Sequence, residues 1–201
     1  MSQISFFEGD PEKKKAVYGM LGVKSNGRLN REDYDFYATD PIAIKELMKI
    51  EKLNHRIWEP ACGQGHLCKP LIEAGYDVRC TDLVDRGFGE GGIDFLWTFD
   101  DWDGDIITNP PYKYAEDFIK HALEIISKGN KVCMFLKIQF LEGKGRQTLF
   151  RNHPPKTIWV SSSRIKCGMN GNFEGCSSMM ALAWFVWEKG YQGDTVVKWF
   201  N

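Results

Sequence analysis

Short apolar runs alternate with amphipathic stretches along most of this chain. Arg56–Pro60 is apolar and reads as a strand, and Leu67–Ala74 has helical spacing. Asp77–Leu83 reads as a second strand that ends near Asp82, and Ile93–Leu96 as a short segment pairing at a sheet edge. Asp105–Thr108 is a compact apolar strand. Ala115–Ser127 repeats Phe118, Ala122, Leu123, Ile125 and Ile126 on one side, the pattern of an amphipathic helix. Lys131–Phe140 reads as a strand, and Leu149 with Phe150 as a short, weakly helical stretch. Thr157–Val160 and Met180–Trp187 are the last strands. Upstream, Thr39 or Asp40 can cap a helix with Pro41 in its first turn, and Ile42, Ile44, Leu47 and Met48 mark its inner face. Strands that alternate with helices predict a mostly parallel, doubly wound α/β sheet in one domain. Residues 1–35 are polar and irregular, with Glu12-Lys13-Lys14-Lys15 and a Ser25-Asn26-Gly27 breaker, and are expected to form an arm preceding a domain over 36–201.

Composition adds little against this picture. The chain has 201 residues, 43% hydrophobic and 26% charged, which suits one globular domain with a sizeable core. Aromatics reach 13%, mostly expected in the core. A net charge of −1 provides no global field toward nucleic acid, so any such binding needs a local patch. The six cysteines lack a secreted disulfide pattern. Cys62 and Cys68 flank a glycine turn without CxxC spacing, and Cys167 and Cys176 bracket a loop with no histidine nearby, so no metal is expected. The first residues carry no apolar signal segment and no run is long enough to span a membrane, so a reducing cytoplasm is the expected compartment.

Candidate chemistry sits at the ends of the strands, where ligands bind in doubly wound sheets. Glu59-Pro60-Ala61-Cys62-Gly63-Gln64-Gly65 links the first strand to a helix. Its glycines permit a tight turn and close approach of a ligand, and the helix N-terminus favours a carboxylate. Asp82 follows 19 positions after Gly63, where an acid can bind ribose hydroxyls. A dinucleotide fingerprint GxGxxG is incomplete, because its third glycine position is Cys68. Asn109-Pro110-Pro111-Tyr112 follows the Asp105–Thr108 strand. The Asn109 side-chain oxygen and the Pro110 carbonyl can both accept from one exocyclic NH2. Pro111 fixes the backbone and removes a competing donor, and Tyr112 offers a stacking face.

Together the two motifs resemble the amino-methyltransferase branch of the class I S-adenosylmethionine (SAM)-dependent methyltransferases, and most of all small DNA adenine-N6 methyltransferases of phage and prophage type. The resemblance covers roughly residues 35–201 and implies a Rossmann-like fold with an antiparallel strand near the C-terminus. It extends to Phe36-Tyr37-Ala38-Thr39-Asp40-Pro41, which looks like the family's N-terminal SAM-binding motif. It implies that Tyr37, Thr39 and Pro41 pack over the methionine part of SAM. Glu59, Pro60, Ala61, Cys62, Gly63 and Gly65 would form the glycine motif, Asp82 and Leu83 would flank the ribose, and Asp94 and Phe95 would contact the adenine. Asn109 would border the cofactor as well as the substrate. Asn109, Pro110, Pro111 and Tyr112 would hold the target amine for in-line methyl transfer, without metal or covalent cysteine, and a base in duplex DNA would be flipped out. S-adenosylhomocysteine would be the product.

The chain lacks the large target-recognition region of many DNA methyltransferases. From Lys137 to Lys166 it has seven Lys/Arg and one acid, Glu142. Lys144, Arg146, Arg151, Arg164 and Lys166 are the candidate nucleic-acid contacts. Related RNA and protein-glutamine methyltransferases share Asn-Pro-Pro-Tyr, and a SAM-binding subunit without catalysis is a further reading.

Overall fold

The computed structural model describes residues 37–169 and 181–201. The expected arm over 1–35 lies outside the described residues. In chain order the elements are β1 (Tyr37–Thr39), α1 (Ile42–Ile50), β2 (Arg56–Glu59), α2 (Cys68–Glu73), β3 (Asp77–Asp82) and β4 (Glu90–Gly91). They continue with β5 (Asp105–Thr108), α3 (Ala115–Ile125), β6 (Lys131–Lys137), α4 (Gln147–Asn152), β7 (Thr157–Ser161), β8 (Cys167–Met169), β9 (Leu182–Glu188) and β10 (Val196–Phe200).

Eight strands form one sheet in the order β10-β7-β9-β6-β5-β2-β3-β4. Among the described residues only β9 runs antiparallel to its neighbours in this sheet, β6 and β7, and the other pairs are parallel. The expected doubly wound, mostly parallel sheet with an antiparallel strand near the C-terminus is present. Strands β1 and β8 pair separately as an antiparallel ribbon.

The central strands read as unbroken apolar runs because both of their faces are covered. On one face Trp58, Ile106, Val132, Met134 and Phe185 pack against Phe118, Ile119 and Ala122 of α3. On the other, Ile57, Ile107, Cys133, Phe135 and Trp184 meet Ala43, Ile44 and Leu47 of α1 and Leu71 of α2. The alternation of 132 and 134 against 133 and 135 is the two-residue period of a strand. Each large side chain buried this way contributes about 1.5–3 kcal/mol relative to exposure. Glu116 and Asp117 in the first turn of α3 favour its dipole. The Ile42 N–H donates to Asp40 Oδ1 at 3.0 Å, so Asp40 rather than Thr39 starts α1.

Buried polar groups pin the edges of this frame. Asp105 accepts from the backbone N–H of Asn54 and of Lys131, both at 2.7 Å, and so ties the starts of β5 and β6 to the approach to β2. Burial raises its carboxyl above the usual aspartate range, while these hydrogen bonds and Lys131 pull it down. Trp58 Nε1 donates to Thr81 Oγ1 at 2.9 Å across β2 and β3.

Beyond the β1–β8 ribbon, which the sequence did not predict, three elements differ from the reading of the sequence. The edge strand is Glu90–Gly91, and Phe95–Trp97 is a 3-10 turn capped by Asp94. The segment still touches the sheet, because the Ile93 N–H donates to Asp82 O at 3.0 Å. The Lys131–Phe140 run leaves the sheet after Lys137 as a 3-10 turn over Ile138–Leu141. Strand β10 is additional, lies at the open edge beside β7, and leaves Trp199 66% exposed.

Candidate active site

The site forms where β2, β3 and β5 end side by side. Parallel pairing sets Glu59 opposite Cys80 and Trp58 opposite Ile106, so the turns after these strands emerge from the same edge. The first turn is built on glycine. Gly63 has φ +54 and Gly65 φ +81, a region that side chains other than glycine rarely adopt. The Gly65 N–H donates to Cys62 O at 2.8 Å, and Gly65 O accepts from Lys69 N–H at 2.9 Å to begin α2. A Cβ at Gly65 would run into the ring of Phe88. The turn is therefore shaped for bare backbone.

Asp82 holds that turn in place. Its Oδ2 accepts from the Gly63 N–H at 2.8 Å and its Oδ1 from the Val84 N–H at 2.9 Å. Each carboxylate oxygen has a second lone pair, so the group can position the turn and still accept from a diol. Leu83 follows, half-buried. Pro60 and Cys62 are buried within the turn, and Ala61 packs on the core.

Glu59 is turned into the protein. It is buried and accepts from Cys68 Sγ at 3.0 Å. Burial pushes its carboxyl well above the usual glutamate range. The Cys68 thiol is itself pushed up by contact with the Cys62 and Cys80 thiols and by burial. Three thiols thus gather at the glycine turn, with Cys62 and Cys68 buried and Cys80 half-buried.

Asp94 Oδ1 accepts from the Leu96 N–H at 3.1 Å, and burial raises its carboxyl despite that bond and the nearby His121. Phe95 is 1% exposed, with its ring between Trp58, Phe118 and His121 at 5.2, 5.0 and 4.8 Å. It is a member of the core, and the role expected for it as an adenine wall falls to a ring already covered on these sides.

The second turn, Asn109-Pro110-Pro111-Tyr112, leaves β5, which is buried along its whole length. Pro110 is buried, whereas Asn109, Pro111 and Tyr112 are half-buried. Pro111 has φ −55 and ψ 118 and leads into a 3-10 turn over Tyr112–Tyr114. Asn109 Nδ2 donates to Thr39 Oγ1 at 2.9 Å, which brings the N-terminal motif to the second turn. Lys137, at the end of β6, holds its Nζ 4.6 Å from the centre of the Tyr112 ring. Pro41 is half-buried at the start of α1, and Tyr37 lies on β1.

The basic candidates divide. Arg146 NH1 donates to the carbonyls of Phe140 at 2.7 Å, Glu142 at 2.6 Å and Gln139 at 3.4 Å, and its guanidinium lies 4.7 Å from the Phe140 ring. It braces the loop after β6. Lys144 and Arg151 are exposed and, with Leu141, Gly143, Gln147 and Phe150, line an open cavity of about 560 Å³. Arg164 and Lys166 are exposed on the approach to β8. The rest of that loop, 170–180, lies outside the described residues. Phe88 and Gln147 were not singled out in the sequence, and Lys137 only as the first residue of a basic run. An isolated aromatic, a strand-end lysine and a loop glutamine carry no spacing signal; only their neighbours in space distinguish them. Among the described residues no group of His, Cys, Asp or Glu is arranged to hold a metal ion, and no helix is long and apolar enough to cross a membrane.

No family model matches the chain, and no curated protein matches its sequence. Solved structures do match its shape. A candidate class I SAM-dependent methyltransferase from Listeria monocytogenes superposes with TM-score 0.56 at 13% identity, covering 94% of this chain and 71% of that one. A candidate RNA methyltransferase from Pyrococcus horikoshii gives 0.57 at 15% identity, covering 90% and 99%. A candidate O-methyltransferase from Agrobacterium tumefaciens gives 0.54 at 16% identity, covering 80% and 85%. At such identities the likeness speaks for architecture. The chain has the Rossmann-like α/β fold of class I methyltransferases.

Proposed function

We propose that this protein is a SAM-dependent N-methyltransferase that methylates the N6 amino group of adenine, with DNA as its substrate. The observation that carries the reading is the placement of Asn109-Pro110-Pro111-Tyr112 at the end of β5, beside the glycine turn that ends β2. The glycine turn, with Gly63 and Gly65 at positive φ, is a tight strand-to-helix turn of the kind that lets a ligand approach backbone closely. SAM would supply an electrophilic methyl group on a sulfonium.

The residues of the chain would do the rest. Asp82 would accept from ribose hydroxyls. Pro41, Thr39 and Tyr37 would close over the methionine end. An aromatic amine is a poor nucleophile because its lone pair is delocalised. Acceptors from Asn109 Oδ1 and Pro110 O would take both N–H bonds and free that lone pair for attack. The gain is positioning and preorganised dipoles rather than covalent chemistry. Tyr112 would stack on the base. Lys144, Gln147 and Arg151 around the cavity, together with Arg164 and Lys166, would meet the backbone of the strand. Among the described residues no acid lines that cavity, which favours a polyanion over a protein substrate.

The test is transfer of labelled methyl from SAM to unmethylated DNA, RNA and protein in parallel, followed by nucleoside analysis. Label in N6-methyladenine of DNA, with turnover reduced on the order of 10²–10³-fold in Asn109→Ala, is the expected result. Label in glutamine, or none in any substrate, would overturn the reading. Label in RNA would keep the chemistry and change the substrate.

A further inference from the structure

The Asn109 side chain is held by an element that is not part of the main sheet. Its Nδ2 donates to Thr39 Oγ1 at 2.9 Å, across 70 positions of chain. Thr39 is 2% exposed, at the end of β1. It is fixed on two sides. The β1–β8 ladder pairs Thr39 with Cys167, and one step further the Asp40 N–H donates to Lys166 O at 3.1 Å. On the other side Asp40 Oδ1 accepts the Ile42 N–H that opens α1.

A primary amide has a donor end and an acceptor end of nearly equal size, and only a bound neighbour decides which way it faces. Methyl transfer to an amine needs the acceptor end toward the substrate. If the amide turned over, two N–H bonds would face two N–H bonds, and the target nitrogen would be repelled. A hydroxyl that accepts from Nδ2 opposes this, because turning the amide over would break that hydrogen bond and require the hydroxyl to swing its own proton toward Oδ1. We propose that Thr39 is a positioning residue for methyl transfer: its Oγ1 takes the amide donor of Asn109 and so presents Oδ1 as the acceptor for the target amino group. This rests on the amino-methyl reading above. It gives Thr39 a role that contact with the cofactor alone would not require.

The experiment compares Thr39→Val, which keeps the shape and removes the acceptor, with Thr39→Ser, which keeps the hydroxyl, in the full-length protein. Each is measured for SAM affinity by calorimetry, for thermal midpoint, and for kcat and KM on unmethylated DNA. Thr39→Val should lower kcat by about 10–100-fold, by analogy with the loss when a partner that orients a metal-ligating side chain is removed. Any loss of SAM affinity should be smaller than the loss of kcat, KM for DNA should stay near wild type, and Thr39→Ser should restore most of kcat. The double variant Thr39→Val/Asn109→Ala should be no slower than Asn109→Ala, because the hydroxyl acts through the amide. Should Thr39→Val fold poorly, Thr39→Ala and the same double-variant comparison take its place. Full turnover in Thr39→Val would overturn the proposal, as would a loss of SAM affinity that matches the loss of turnover, or independent losses in the double variant. An active Asn109→Ala would instead sink the amino-methyl reading itself, so the two failures are distinguishable.

Discussion

Gly65 combines a left-handed backbone with the ring of Phe88 against its α-carbon. Gly65→Ala would strain the turn by about 1–2 kcal/mol through φ alone and would also push Phe88 aside. We expect SAM affinity to fall more than global stability, measured by calorimetry beside a denaturant titration. Equal affinity in the variant would mean that the turn does not hold the cofactor. Glu59 gives a pH signature. Its folded carboxyl is raised by burial, so the folded protein keeps a proton that the unfolded chain releases. Stability from this group is complete below the ordinary glutamate range near pH 4.3 and declines as pH climbs toward the folded value. Glu59→Gln does not titrate and retains an acceptor for Cys68. Denaturant midpoints should therefore move in favour of Glu59→Gln as pH rises. Parallel curves for the two proteins would show that Glu59 is already ionised in the fold. At this scale the sequence revealed the glycines and Asp82, because turns and strand ends leave a local mark. It did not reveal that Phe95 is enclosed, since an apolar residue after an acid reads equally as a wall or as core.

The loop after β6 shows how elements divide labour. Arg146 ties three carbonyls of its own loop, whereas Lys144 and Arg151 border the cavity. Replacing all three at once would mix two effects. Lys144→Ala/Arg151→Ala should weaken DNA binding and reduce the salt slope by roughly 0.9 for each duplex phosphate left unneutralised, with the thermal midpoint unchanged. Arg146→Ala should lower the midpoint or raise hydrogen exchange across Ile138–Leu141. Binding across a salt series, read beside melting curves, checks both. A basic count cannot separate these residues, because a guanidinium facing carbonyls and one facing solvent have the same letter. Elements followed the same rule. Strands covered on both faces, such as Asp105–Thr108 and Lys131–Lys137, announce themselves as apolar runs. The three-residue strands β1 and β8 do not, because their pairing is settled by partners far along the chain.

For the whole molecule, the βα alternation was enough to predict the sheet and its mainly parallel sense. The order of strands was not, since alternation does not say which neighbour each strand takes. The separate ribbon and the added edge strand β10 were equally hidden. Val196, Val197 and Trp199 are exposed apolar residues on an open edge, so burial left no pattern there to read.

The position of β9 has a consequence for how the chain is made. Strand β7 has β9 and β10 as its sheet neighbours, and both come later in the sequence. A growing chain therefore releases Thr157–Ser161 before either neighbour exists to pair with it. Its edges stay open until Leu182–Glu188 threads in between β6 and β7. Unpaired strand edges of this kind invite association with other chains. Chains halted after Ile165 should consequently be sensitive to protease across β7 and prone to aggregate, while chains extended past Glu188 should be protected there. Limited proteolysis of stalled chains of the two lengths reads the difference, and equal protection would mean that β7 finds a temporary partner during synthesis.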